Sequence, residues 1–155
     1  MLEIIEDDAM YLPDLVRLNE LWISEHFEIE EADRQLAADP STIIRDGGHS
    51  FCALLDGKAV GAAALFRVGP REFELARMTV APSSRGQGIG RSLAQAALHR
   101  AEADGATSVS LGTNSILVAA IALYRSLGFE VVWEGRHPEY SRCNMIMRRT
   151  LGGAC

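Results

Sequence analysis

Six residues, Arg85-Gly86-Gln87-Gly88-Ile89-Gly90, leave this chain few ways to fold. They lie between a strand-like run, Phe73 to Val80, and a run with helical spacing, Ile89 to Ala103. A glycine-rich turn that feeds a helix leaves several backbone N–H groups without partners. It aims them where the positive end of the helix dipole points. Lacking Cβ atoms, Gly86, Gly88 and Gly90 let an anion approach the backbone and let the turn take positive φ. Arg85 and Arg91 add positive charge at the two ends of the turn. This local pattern is that of a diphosphate cradle.

Two common phosphate motifs are excluded by spacing. A Walker loop needs lysine after the glycines, and none follows here. A dinucleotide fingerprint needs a third glycine where this chain has Arg91.

The rest of the chain supplies strands and helices around that turn. Leu2 to Ile5 is a short candidate strand, and Leu12, Leu15, Val16, Leu18, Trp22 and Ile23 recur at helical spacing with Pro13 in the first turn. A second helix is expected over about Ile29 to Ala38. Ser50 to Leu55 and Lys58 to Arg67 flank Asp56-Gly57, a strong hairpin signal. Glu72 to Val80 reads as the next long strand, and Thr107 to Leu111 as another beyond the helix that Gly105 ends. Ile116 to Leu127 is apolar nearly all round, so that helix is expected to be buried, N-capped by Asn114 or Ser115 and C-capped by Gly128. Phe129 to Glu134 and Arg142 to Thr150 are expected to pair as the last strands. The order implies an α/β (α+β) sheet with helices on both faces, in a single domain over residues 1–155.

Composition narrows the function classes. A net charge of −6 disfavours a general nucleic-acid binder, which needs clustered Lys and Arg. The acidic start (Glu3, Glu6, Asp7, Asp8) is unlike a signal peptide, and no apolar run approaches the length of a membrane span. Cys52, Cys143 and Cys155 suit a reducing cytoplasm better than a disulfide framework. His26, His49, His99 and His137 show no metal-ligand spacing, so no metal is expected.

The turn fits the pattern Arg/Gln-x-x-Gly-x-Gly/Ala, with Glu74 to Val80 before it and Ala119 to Phe129 after it. In this order and spacing, over roughly Phe51 to Met147, the chain resembles the GNAT superfamily of N-acetyltransferases. The resemblance implies a mixed, mostly antiparallel central sheet of six to seven strands. It implies acetyl-CoA as co-substrate, its pyrophosphate on Arg85, Gly86, Gln87, Gly88, Ile89, Gly90 and Arg91, and its pantetheine along the backbone of Met78, Thr79 and Val80. It further implies Glu74 as the base for the acceptor amine, with Glu72 as the fallback, and Tyr124 as the proton donor to the leaving thiolate. Glu74 shares one strand face with Ala76, Met78 and Val80 if the strand alternates regularly. Many relatives carry an asparagine seven positions before the tyrosine; this chain has Leu117 there, and Asn114 is the candidate replacement.

The expected activity is transfer of acetyl from acetyl-CoA to a small amine or a peptide amino group, by direct attack in a ternary complex. The alternatives are a non-catalytic acyl-CoA sensor and a transferase acting on aminoacyl-tRNA, the latter disfavoured by the acidic composition. The resemblance leaves a homodimer open. His26 and Phe27 are candidates for the acceptor wall. Glu25, Glu28, Glu30, Glu31 and Glu139 suggest a carboxylate-edged cleft that selects cationic acceptors, with Trp133 and Tyr140 as an aromatic wall.

Overall fold

Asp56 and Gly57 take φ of +51° and +83°, the left-handed pair that closes a two-residue hairpin. Strands β2 (His49–Leu55) and β3 (Lys58–Gly69) therefore lie antiparallel, and β4 (Glu72–Val80) adds to β3 in the same sense. Ahead of them come β1 (Leu2–Glu6), α1 (Leu12–His26), α2 (Glu31–Ala38) and one turn of helix, α3 (Thr42–Arg45), which the sequence reading did not anticipate. After them come α4 (Ile89–Ala103), β5 (Ser108–Thr113), α5 (Val118–Ser126), β6 (Glu130–Glu134) and β7 (Met145–Thr150). These elements belong to a computed structural model that describes residues 1–135 and 142–151. His137, Glu139, Tyr140 and Cys155 lie outside the described residues.

The seven strands form one sheet in the order β1-β2-β3-β4-β5-β7-β6. Each pairing is antiparallel except that of β4 with β5. Helices cover both faces, as the sequence led us to expect. On one face Leu12, Leu15 and Leu18 of α1 pack on Ala62 and Ala64 of β3. On the other, Leu93, Ala94 and Ala97 of α4 pack with Ala63 and Leu65. Alanines on both faces of β3 let both helices lie close to the sheet, which suits a strand with no exposed side. No helix among the described residues is long and apolar enough to cross a membrane.

Two expectations need correction. Helix α5 is not buried: none of its residues is fully covered, and Val118 is 72% exposed. Only Ile121 and Tyr124 of the helix reach the α4-side core, while the remaining apolar side chains line a cavity or face outward. Its N-cap is Leu117, and Asn114 instead caps the preceding turn by accepting the Ile116 N–H at 3.0 Å. The last strand starts at Met145 and not at Arg142, because Arg142 turns toward α2 and Asn144 bonds the β5–α5 connection.

Away from the cavity, His49 joins three elements. Its Nδ1 lies 2.7 Å from Asp7 Oδ2, just beyond β1, and its Nε2 lies 2.5 Å from Asp104 Oδ2 at the end of α4. Burial opposes the imidazolium, but the hydrogen bonds and charges of Asp7 and Asp104 outweigh it and raise the pKa. With a folded pKa above the unfolded one, the folded chain holds more protons in between, so this stability is present below about pH 6.5 and is lost as pH rises through the folded value. We expect wild-type stability to fall across that window relative to His49→Gln in urea melts run at several pH values. Parallel pH curves for the two proteins would show that the clasp is not ionic.

Candidate active site

The cavity begins with a break in β4. Ala62 pairs with Thr79 and Ala64 with Ala76, so Arg77 and Met78 together oppose the single residue Ala63. Arg77 takes φ of +56°, a left-handed conformation unusual for a side chain of its size. This bulge reverses the alternation of the strand. Glu74 opposes Phe66 and Ala76 opposes Ala64, on the α1 face, whereas Met78 and Val80 pack with the α4-side core. The expectation that Glu74, Ala76, Met78 and Val80 share a face is therefore incorrect. The same strand pairs with β5 only from Glu72 to Glu74. Beyond Glu74 the two strands part, and a cavity of about 830 Å³ fills the gap, lined on one side by residues 74–80 and on the other by Leu111, Gly112 and Thr113.

What holds Arg77 is a buried carboxylate. Asp33 of α2, with no side-chain exposure, pairs with Arg77 and, through both oxygens at 2.7 Å, with Arg142. It also accepts the Glu30 N–H at 2.9 Å, closing a capping box at the start of α2. Burial alone would raise the Asp33 pKa, yet the Arg142 hydrogen bonds, the Glu30 N–H and the two arginine charges hold it below the usual carboxylate value. Sequence reasoning missed this network. Its one local signal was the Glu30–Asp33 spacing at a helix start.

At the other end of the cavity lies the glycine turn. Gly86 and Gly88 have φ of +80° and +79°, and a Cβ on either would meet nothing within 4 Å, so backbone conformation and not crowding requires glycine. Gly90 differs, being already helical and 3.6 Å from Leu123 Cδ2 at the point where a Cβ would stand. The first bond of α4 runs from the Ser92 N–H to the Gly88 carbonyl at 3.1 Å. The N–H groups of residues 86–91 thus have no backbone acceptor among the described residues, and they form the donor set a diphosphate needs. Gln87 is exposed and off the cavity. Arg85 donates to Glu25 at 3.0 and 3.3 Å and to the Val80 carbonyl, so its charge is partly neutralised. Arg91 reaches across to Ser126 Oγ at 2.9 Å.

Glu74 and Tyr124 line this same cavity, as do Met78, Thr79, Val80 and Asn114, while Glu72 does not. Tyr124 stacks edge-on against Phe129 at 5.9 Å, and burial pushes its phenol up to about 12. No described residue bonds its hydroxyl. Asn114 donates to the Arg142 carbonyl at 2.8 Å, tying the β5–α5 connection to the start of the final strand. Cys143, also on the lining, has a thiol pushed up by burial and by the Glu74 and Glu30 charges, so it remains a thiol near neutral pH.

The α1 side of the cavity is walled by Asn19, Trp22 and Phe27, the last two with tilted rings whose centres are 5.8 Å apart. His26 lies tilted against Trp22, with ring centres 5.5 Å apart, but is exposed. Trp133 stands on the edge strand β6, away from the lining. Three carboxylates expected to edge the cleft are taken by arginines: Glu25 by Arg85, Glu30 by Arg142 and Glu31 by Arg34.

The chain matches the Acetyltransferase (GNAT) family over residues 13–129. It is 38% identical over 92 residues to the N-acetylaspartate synthetase of Xenopus tropicalis, covering 59% of this chain and 34% of that protein. The chain thus spans about a third of the length of that curated relative. In fold it is similar to an acetyltransferase of the GNAT family from Staphylococcus aureus, with a TM-score of 0.85, 21% identity, and 97% and 99% of the two chains covered. A second similar structure is a phosphinothricin acetyltransferase from Sinorhizobium meliloti in complex with AcCoA, with a TM-score of 0.79, 22% identity, and 97% and 88% covered.

An aspartate at position 88 would place its carboxylate among the free N–H groups. Saturating coenzyme A should stabilise the wild type, by about 2.7 kcal/mol at a hundredfold excess over Kd, and leave Gly88→Asp unshifted in thermal melts. Equal shifts in both proteins would mean that the diphosphate is held elsewhere.

Proposed function

The chain belongs to the GNAT acetyltransferase family and is an acetyltransferase; we propose that it moves an acetyl group from acetyl-CoA to a primary amine by direct attack in a ternary complex. The observation that carries this reading is the single cavity that runs from the free N–H groups of the glycine turn to Glu74, with Tyr124 on its wall. Family membership supports an acyl-CoA as donor. The similar fold that holds AcCoA supports acetyl in particular.

Acetyl-CoA, as substrate, brings the activated thioester; the chain supplies proton traffic and polarisation. A free amine has a pKa of about 10 and must lose a proton before it attacks. Glu74, on the α1 face of β4 and half-buried, takes that proton directly or through water. The N–H groups along the unpaired edge of β4, near Met78, hydrogen-bond the carbonyl oxygen as negative charge gathers on it. Tyr124 keeps its proton at neutral pH and donates to the departing sulfur. Asn114 fixes the β5–α5 connection against which pantetheine lies. With residues 1–155 acting as one domain in the cytoplasm, the acceptor is a small amine or a peptide amino group.

Tyr124→Phe keeps the edge-on contact with Phe129 and removes only the hydroxyl. Coenzyme A binding should survive, and kcat should fall roughly 10²-fold or more. Unchanged kcat, where chemistry limits the rate, would reduce Tyr124 to packing. Glu74→Gln should slow the reaction most near neutral pH and least at high pH, where the free amine is abundant. A pH-independent loss would instead make Glu74 a substrate-positioning group, and coenzyme A binding without turnover of any amine would favour a sensor.

A further inference from the structure

Among the cavity-lining residues, Asn19 lacks an evident structural reason to be polar. It sits in the middle of α1 between Leu15, Leu18 and Ile23, side chains that are buried. Asn19 itself is only 5% exposed, and that remnant faces the cavity. No described residue hydrogen-bonds its carboxamide. Its carboxamide keeps only that small opening toward the cavity, and holding a polar group there, largely withdrawn from water, has a desolvation cost that an apolar side chain of the same shape would avoid. An amide kept there is therefore matched to something the cavity receives.

The neighbours of Asn19 define the shape of that group. Trp22 stands three residues on, one turn along the same helix face, and the Phe27 ring leans against it. The wall thus offers a carboxamide beside an aromatic surface, on the face of the sheet to which Glu74 points. An amide pairs well with a neutral group that both donates and accepts, and another amide does so through two parallel hydrogen bonds. A carboxylate in the same place would be desolvated, and the adjacent arginines are already engaged, Arg77 and Arg142 with Asp33 and Arg85 with Glu25.

We propose that Asn19 selects an acceptor whose reacting amine adjoins an amide and carries an apolar side chain: the N-terminal residue of a peptide, or an α-amino amide, in preference to a free amino acid or a simple alkylamine. This rests on the reading of the chain as an amine acetyltransferase. Glu74 receives the proton of the amine, the Asn19 carboxamide pairs with the neighbouring amide, and Trp22 with Phe27 covers the side chain.

The test compares L-leucinamide, L-leucine and isoamylamine, which share a side chain and differ in what stands beside the amine, with acetyl-CoA as donor. In the wild type, kcat/KM should favour leucinamide over leucine. In Asn19→Leu, which suits the apolar surroundings, the leucinamide to isoamylamine ratio of kcat/KM should fall roughly tenfold or more, mainly through KM. Differences in amine basicity cancel when that ratio is compared between proteins. Asn19→Ala should give the same direction of change, which separates the lost amide from any effect of the added leucine. The thermal shift given by coenzyme A should be retained in both variants. An unchanged ratio would overturn the proposal while leaving the acetyltransferase reading intact. So would equal losses for all acceptors with a weakened coenzyme A shift, because Asn19 would then bond pantetheine. If none of a wider panel of amines turns over, the acetyltransferase reading fails and this proposal falls with it.

Discussion

The pairing of Asp33 with Arg77 is the interaction on which the site depends. A left-handed arginine inside a strand costs on the order of 1–3 kcal/mol and persists only where its surroundings fix it. Here the surroundings are a fully buried carboxylate that also engages Arg142 and caps α2. Removing one member of such a network leaves an uncompensated buried charge, which is why networks of this kind resist piecemeal loss. With Arg77 held in this way, β4 bulges at Arg77 and Met78 and changes face, having already parted from β5 beyond Glu74. One buried aspartate thereby couples α2, the centre of the sheet and the approach to β7.

The consequences divide along the sheet. Before the bulge, Glu74 looks to the α1 face, where Asn19, Trp22 and Phe27 stand. After it, Met78 and Val80 look to α4 and the glycine turn. A regular strand would have put Glu74 and Met78 on the same side, and the two ends of the cavity lining on one face of the sheet. The opening between β4 and β5 lets the two faces communicate through a gap in the sheet. Helix α5 borders that gap, which explains why a segment so apolar is left half-covered: its apolar side chains line the cavity as well as the core.

Much of this was legible in the sequence, for local reasons. Gly86 and Gly88 announced the turn because positive φ and free N–H groups follow from glycines at a helix start. Asp56-Gly57 announced the hairpin in the same way. The bulge was not legible, because nothing in Glu74 to Val80 breaks the alternation; the carboxylate that holds Arg77 there, Asp33, lies 44 residues away. The fate of the acidic stretch was hidden for the same reason. Glu25 and Glu30 read as a cation-selecting rim until their partners Arg85 and Arg142, both distant in sequence, are seen beside them. Apolar periodicity overstated the burial of α5 because it records that a surface avoids water and not what covers it. A net charge of −6 likewise says little about the cleft once its carboxylates are paired.

The paired charges make the unpaired groups more informative. Natural structures rarely leave a buried polar atom without a partner, so each exception calls for a reason. Thr79 Oγ1 is the one fully buried side-chain oxygen without a partner among the described residues, and Thr79 stands on the strand edge that borders the cavity. The Asn19 amide, the Tyr124 hydroxyl and the N–H groups of the glycine turn also belong to residues on that cavity. Elsewhere, buried polar side chains such as Asp33 have their hydrogen bonds within the protein. The buried Asp33 network is thus closed within the protein, whereas several polar groups along the one cavity are left open. Along that cavity Arg77, Arg85 and Arg142 are matched to carboxylates and Arg91 to the Ser126 hydroxyl, so on the acetyl-transfer reading proposed above an acceptor is recognised by hydrogen-bond pattern and shape more than by charge.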